Sequence, residues 1–117
     1  MQMDMVQLED GITRVSLAGR MDIEGTQAID LKFTALTANR RAAVIVDLSR
    51  VSFLASIGMR TLLSSAKALS QKGGRMVILN PQPMVASALA TAGIDTLVPV
   101  FPDLDAARAA LVGIAGG

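Results

Sequence analysis

A chain of 117 residues, 51% hydrophobic and 18% charged, fits one domain with a single buried core and is too apolar for intrinsic disorder. It has neither Cys nor His, which excludes disulfides, thiolate or imidazole catalysis and the usual transition-metal ligand sets. Eleven basic against ten acidic side chains leave a formal net charge of +1, so nothing advertises a nucleic acid or an anionic membrane as partner.

The first ten residues carry acids and no basic stretch leading into an apolar run, so no secretory signal is read there and the expected compartment is the cytoplasm. Met3 to Glu9 and Ile12 to Ala18 flank Asp10-Gly11, a dipeptide suited to a tight type I′ turn, and predict an antiparallel hairpin. Val15 and Leu17 alternate with Arg14 and Ser16, a strand with one buried face that Gly19 ends. From Glu24 to Asn39, Ile29, Phe33 and Leu36 form one stripe of a helix, with Asp30, Thr34 and Thr37 turned away.

Ala42 to Val46 is a continuous apolar run of the kind that suits a central parallel strand buried on both faces. After Asp47 a loop through Ser49, Ser52 and Ala55 is expected to lead into a helix from Ser56 to Lys72, packed through Met59, Leu62, Leu63, Ala66 and Leu69 and stopped by Gly73-Gly74. Met76 to Leu79 is a further buried strand. Asn80, Pro81, Gln82 and Pro83 interrupt the longest uncharged stretch, Met76 to Ile94, so it cannot cross a membrane as one helix. Pro83 opens the next helix, with Met84, Val85, Ala88, Leu89 and Ala92 inward and Gly93 closing it. Leu97 to Phe101 is a brief strand that Pro99 confines to a sheet edge. Asp103 caps a last helix packed through Leu104, Ala107 and Leu111, and Gly113, Gly116 and Gly117 let the tail fray.

The order ββαβαβαβα over residues 1–117 predicts one α/β domain, a mixed and mainly parallel sheet with an N-terminal hairpin. Chemistry in such sheets gathers beyond the carboxyl ends of the strands, here residues 47–58 and 80–84. Asp47 stands where a phospho-accepting aspartate would, but the acidic pair for Mg²⁺ and the lysine after the last strand are missing, so it is read as a backbone cap. Ser56 as a hydrolase nucleophile lacks a base, because Lys67 and Lys72 lie about 16 to 24 Å along the helix at 1.5 Å per residue. No enzyme, cofactor or metal site is expected. What is left is a recognition surface with a modifiable hydroxyl, weighed against Ser56 as a simple N-cap beside a bare, approachable Gly58 backbone.

The segment from Val46 to Leu63, with Asp47-Leu48-Ser49, the Val51 and Phe53 spacing and Ser56-x-Gly58 before a leucine-rich helix, resembles the signature of STAS domains, in particular stand-alone bacterial anti-sigma-factor antagonists. Gly19-Arg20-Met21-Asp22 and Asn80-Pro81 also look like that family, and the resemblance runs through nearly the whole chain. It implies that Ser56 is phosphorylated by a partner that is both anti-sigma factor and serine kinase, that phosphorylation ends binding, and that a serine phosphatase reverses it. Ala55 departs from the acidic residue often found before that serine. The expected partner-binding residues are Ser52, Phe53, Ala55, Ser56, Ile57, Gly58, Arg60, Lys67 and Asn80, of which Arg60 and Lys67 come from the charge pattern of the helix, weighed against a merely solvated face. Arg60, Ser64, Lys67 and Gln71 form a basic stripe opposite the leucines, in a stretch from Leu48 to Ile94 that holds five basic residues and no acid. STAS domains also accompany anion transporters and lipid-transport ATPases, so an accessory subunit of a transport complex is the alternative.

Overall fold

A computed structural model describes residues 1–8, 10–38 and 42–112 of the chain. The elements are β1 (Gln2–Gln7), β2 (Thr13–Met21), α1 (Ile23–Ala38), β3 (Ala43–Leu54), α2 (Ser56–Gln71), β4 (Arg75–Leu79), α3 (Pro83–Thr91), a 3₁₀ turn at Ile94–Thr96, β5 (Val100–Phe101) and α4 (Leu104–Leu111). One five-stranded sheet runs in the order β1-β2-β3-β4-β5. β1 pairs antiparallel with β2, and every later neighbour is parallel. The predicted order and hairpin are therefore the observed ones.

The hydrophobic pattern sorts the layers. Val15, Leu17, Val44, Val46, Leu48 and Val51 of the sheet join Ile29, Phe33, Leu62, Leu69, Val85 and Leu89 in one core, which places α1, α2 and α3 on the same face. On the other face Ile12, Ala43, Ile45, Val77 and Leu79 meet Ala107 and Leu111 of α4. Asp103 caps α4 as expected, its carboxylate accepting the Ala106 N–H at 2.8 Å. Among the described residues no helix is long and apolar enough to cross a membrane.

Several boundaries differ from the sequence expectation. The hairpin does not close on Asp10-Gly11 as a two-residue turn: Leu8 donates to the Ile12 carbonyl at 2.8 Å, one residue further back than that turn requires, and Gly11 takes a positive φ. Gly19 does not end β2, which continues to Met21. Nor does β3 stop at Val46, for it runs on to Leu54 and puts Ser49 and Ser52 in a strand where a loop was expected. The two extensions pair with each other across register shifts between Ser16 and Ala18 and between Gly19 and Arg20. Those irregularities break strict alternation, so buried Leu48, Val51 and Leu54 recur at every third residue and do not look like a strand.

In α3 the stripe is narrower than predicted, since Met84 is 74% exposed and Ala92 is exposed at the helix end. Leu97 is exposed outside β5, which starts at Val100 at the sheet edge. The inward line of α2 is centred on Gly58, Leu62, Ser65 and Leu69, leaving Met59, Leu63 and Ala66 half-buried beside it. The expected fraying at Gly113, Gly116 and Gly117, the Asn39 helix end and the orientation of Thr37 lie outside the described residues.

Candidate functional site

The paired ends of β2 and β3 set two helices side by side. Met21 lies opposite Leu54, and the Ala55 N–H donates to the Met21 carbonyl at 3.0 Å. α1 and α2 therefore begin next to one another at one tip of the sheet. Their caps differ. Asp22 caps α1 by accepting the Gly25 N–H at 2.8 Å; that hydrogen bond, followed by the charge of Arg20, holds the Asp22 carboxyl below its ordinary range. Gly25 is required there, because a Cβ on it would fall 1.9 Å from the Arg20 carbonyl oxygen.

α2 has no such cap. Ala55 occupies the N-cap position with extended backbone and no side-chain hydrogen bond, and no acid lies in the first turn. Ser56 is the first helical residue and not the cap its residue type allows. It is exposed, and its hydroxyl makes no hydrogen bond to another described residue. A free hydroxyl thus stands at the positive end of a sixteen-residue helix whose first N–H groups lack a side-chain acceptor.

The neighbours of Ser56 are part apolar and part cationic. Phe53 is 36% exposed, and the Arg20 guanidinium lies 4.5 Å from its ring centroid while also facing Asp22 at 3.5 Å. Ser52 is exposed and its hydroxyl leans on the Gly19 carbonyl at 3.4 Å; Ile57 is half-buried, and Ile23 at the start of α1 is 61% exposed. Arg20 and Ile23 were not among the sequence-derived binding residues, although Arg20 sits in a stretch that carried the resemblance.

Gly58 has another role than the expected one. It is buried, and a Cβ on it would meet Leu54 Cδ1 at 2.9 Å and Met21 Cβ at 3.0 Å. The glycine lets α2 close onto the tips of β2 and β3, so its backbone is covered and not offered to a partner.

The remaining expected binding residues are spread out. Arg60 lines a groove of ≈ 230 Å³ between α1 and α2 with Asp30 and Thr61, whereas Lys67 lines a separate one of ≈ 180 Å³ with Leu63 and Leu97. Arg60, Ser64, Lys67 and Gln71 are all exposed. Asn80, in the left-handed conformation with φ 48°, donates its N–H to the Phe101 carbonyl at 2.8 Å. β4 meets β3 only as far as the pair Asp47 and Leu79. The stretch from Asp47 to Leu54, roughly 20 Å at about 3.3 Å per residue, therefore separates Asn80 from Ser56. The loop after β4 touches the base of that extension, where Gln82 Nε2 donates to the Ser49 carbonyl at 3.0 Å.

Asp47 is buried and engaged. Its Oδ2 meets Arg14 at 2.7 Å, and its Oδ1 accepts the Ser49 N–H at 2.9 Å. Burial raises the Asp47 carboxyl, but the Arg14 guanidinium and the Ser49 donors outweigh it and hold the carboxyl below the usual range. A carboxylate with both oxygens bonded is a structural brace, as the backbone-cap reading expected, although it braces a strand and not a loop. Among the described residues no three acidic side chains gather as a metal site.

Comparison with known proteins bears on the family and the fold. The family model described as STAS domain matches residues 5–107. The anti-sigma-F factor antagonist RsfB of Mycobacterium tuberculosis is 25% identical over 108 residues, covering 92% of this chain and 85% of that protein. The crystal structure of an anti-sigma factor antagonist from Mycobacterium paratuberculosis superposes with a TM-score of 0.81 at 27% identity over 94% of each chain. The STAS domain of a SulP transporter from Vibrio cholerae gives a TM-score of 0.68 at 25% identity, covering 87% of this chain and 82% of that one.

Proposed function

The chain belongs to the STAS domain family, and from that premise we propose that it is an anti-sigma-factor antagonist, a cytoplasmic protein that binds its anti-sigma factor while Ser56 carries a free hydroxyl. The observation that carries this reading is Ser56 itself, exposed and without a hydrogen bond from its hydroxyl to another described residue at the start of α2, in a chain whose relatives include named anti-sigma-factor antagonists. The partner is an anti-sigma factor that is also a serine kinase. It docks on Ser52, Phe53, Ser56 and Ile57, together with Arg20 and Ile23 beside them, and a serine phosphatase restores the binding form.

The switch is electrostatic. A phosphate on Ser56 adds about −1.5 to −2 charges at a helix N-terminus, where dipole and free N–H groups favour it. The domain remains folded. Binding ends because that charge, its hydration and its bulk fall within the docking surface.

Incubation with the cognate anti-sigma-factor kinase and ATP, followed by phosphopeptide mapping, tests the proposal. Phosphate is expected on Ser56 alone, with loss of co-purification. Phosphate on Ser49, Ser52 or Ser64 with none on Ser56 would overturn it. The alternative, an accessory subunit of a transport complex, draws on the likeness to the SulP transporter domain; stable co-purification with a permease, indifferent to ATP, is its signature.

The basic stripe of α2 supplies steering. Reversing Arg60 and Lys67 together to Glu is expected to slow association and to leave the melting temperature almost unchanged, because both are exposed and such substitutions shift stability by no more than about 0.5 kcal/mol. Stopped-flow association at two salt concentrations reads this directly: the variant should also lose part of the salt dependence. An association rate indifferent to the double reversal would leave the stripe a solvated helix face.

A further inference from the structure

The two edges of the sheet are protected unequally. β5 is two residues long and lies between Pro99 and Pro102, which leaves little backbone for another strand to pair with. β1 has six residues, neither Pro nor Lys, and no register shift against β2. Its Met5 and Val6 side chains are 52% and 54% exposed. A regular edge of this length, with two exposed apolar side chains beside its single charge, is a template for a further strand.

Which backbone groups β1 offers follows from the hairpin. Leu8 donates to Ile12, and in the same register Val6 lies opposite Arg14, Asp4 opposite Ser16 and Gln2 opposite Ala18. Hydrogen-bonded and non-bonded pairs alternate along an antiparallel ladder. Asp4 and Val6 therefore spend their N–H and C=O groups on β2, and Met3, Met5 and Gln7 turn theirs outward.

We propose that this edge pairs with β1 of a second copy of the chain, antiparallel about a two-fold axis at Met5, joining two sheets into one. In that register Met5 meets Met5 of the second copy, and Met3 meets Gln7 in both directions. All three outward residues of each strand are then hydrogen-bonded. Charge selects the same register, since Asp4 falls opposite Val6 of the second copy. Sliding one strand by two residues in one direction sets Asp4 directly against Asp4, and sliding it by two in the other leaves Met3 without a partner inside β1. The occupant is a second copy because the strand is its own complement under this two-fold, whereas the β5 edge has no matching length. The contact is small, in the class below about 1,200 Å² of total buried surface, so the dimer is weak and concentration-dependent.

Sedimentation of the untagged chain from micromolar to millimolar concentration, with residue-resolved amide exchange at both ends of that range, tests the proposal. A reversible dimer is expected, with the amides of Met3, Met5 and Gln7 slowing as it forms and those of Asp4 and Val6 slow throughout. Met5→Lys, which sets two ammonium groups face to face, should weaken the dimer at least tenfold at an unchanged melting temperature. Val6→Lys, which sets each ammonium opposite Asp4 of the other copy, should preserve or tighten it. A monomer at every concentration, a dimer in which the three outward amides exchange freely, or equal weakening by both variants would overturn the proposal.

Discussion

Ser56→Asp is expected to weaken binding to the anti-sigma factor by about ten- to a hundredfold, the equivalent of about 1.4 to 2.8 kcal/mol, while Ser56→Ala binds as the unmodified chain does. The two variants separate interface from fold. Ala removes a hydroxyl that makes no hydrogen bond to another described residue, so little stability goes with it. Asp places a carboxylate in the first turn of a helix that has no acid there and no side-chain cap, which should stabilise the domain by about 0.3 to 1 kcal/mol. Binding and melting temperature should therefore move in opposite directions in Ser56→Asp. Titration calorimetry with the partner, alongside thermal melts, measures both. Equal affinity for the two variants would leave Ser56 an ordinary first-turn serine, and a fall in melting temperature for Ser56→Asp would refute the account of α2 as an uncapped, electropositive helix start.

Arg14→Met is expected to destabilise the domain by about 3 kcal/mol at neutral pH. It leaves Asp47, whose side chain is 8% exposed, charged without its cation. The lower end of the range for breaking a buried pair applies, because the Arg14 side chain keeps 33% of its surface in water. The pH dependence carries a definite sign. The folded carboxyl lies below its ordinary value of 3.8, so its contribution is full above that value and is lost as pH falls through the lower folded pKa. Urea unfolding near neutrality and again near pH 3 should show the difference between the original chain and the variant shrinking in acid. A difference that stays constant with pH would assign the loss to packing of the arginine stem and not to the ion pair.

Element order and most inward stripes were legible in the sequence, because each short run obeys one periodicity. Ile29, Phe33 and Leu36 read as a helix face, and Ala42 to Val46 reads as a strand buried on both sides. The tip of the molecule was less legible. Residues 48–55 carry buried positions at 48, 51 and 54, a spacing made by register shifts in the pairing with β2 and matching neither template. Ser56 was readable as a helix start but not as the first helical residue, since Ser suits the N-cap that Ala55 takes. Arg14 and Asp47 are far apart in the chain, and no local pattern announces that they meet.

By itself the sequence determined the α/β class, the hairpin, the absence of Cys and His chemistry and the serine on which the proposed switch turns. The first three follow from residue type and short-range periodicity, which tertiary context does not alter, whereas the serine follows from the resemblance of its segment to STAS domains. Only the tertiary structure decided how those residues are distributed in space. It drew Ser56, Phe53, Arg20 and Ile23 to one tip, because β2 and β3 extend together and deliver α1 and α2 side by side. The same extension left Asn80 at its base, a strand's length from Ser56, and the close approach of α2 to β2 and β3 turned Gly58 from an open backbone into a packing contact. Such outcomes depend on strand length and register, which are set by pairing between segments distant in the chain and not by any one of them alone.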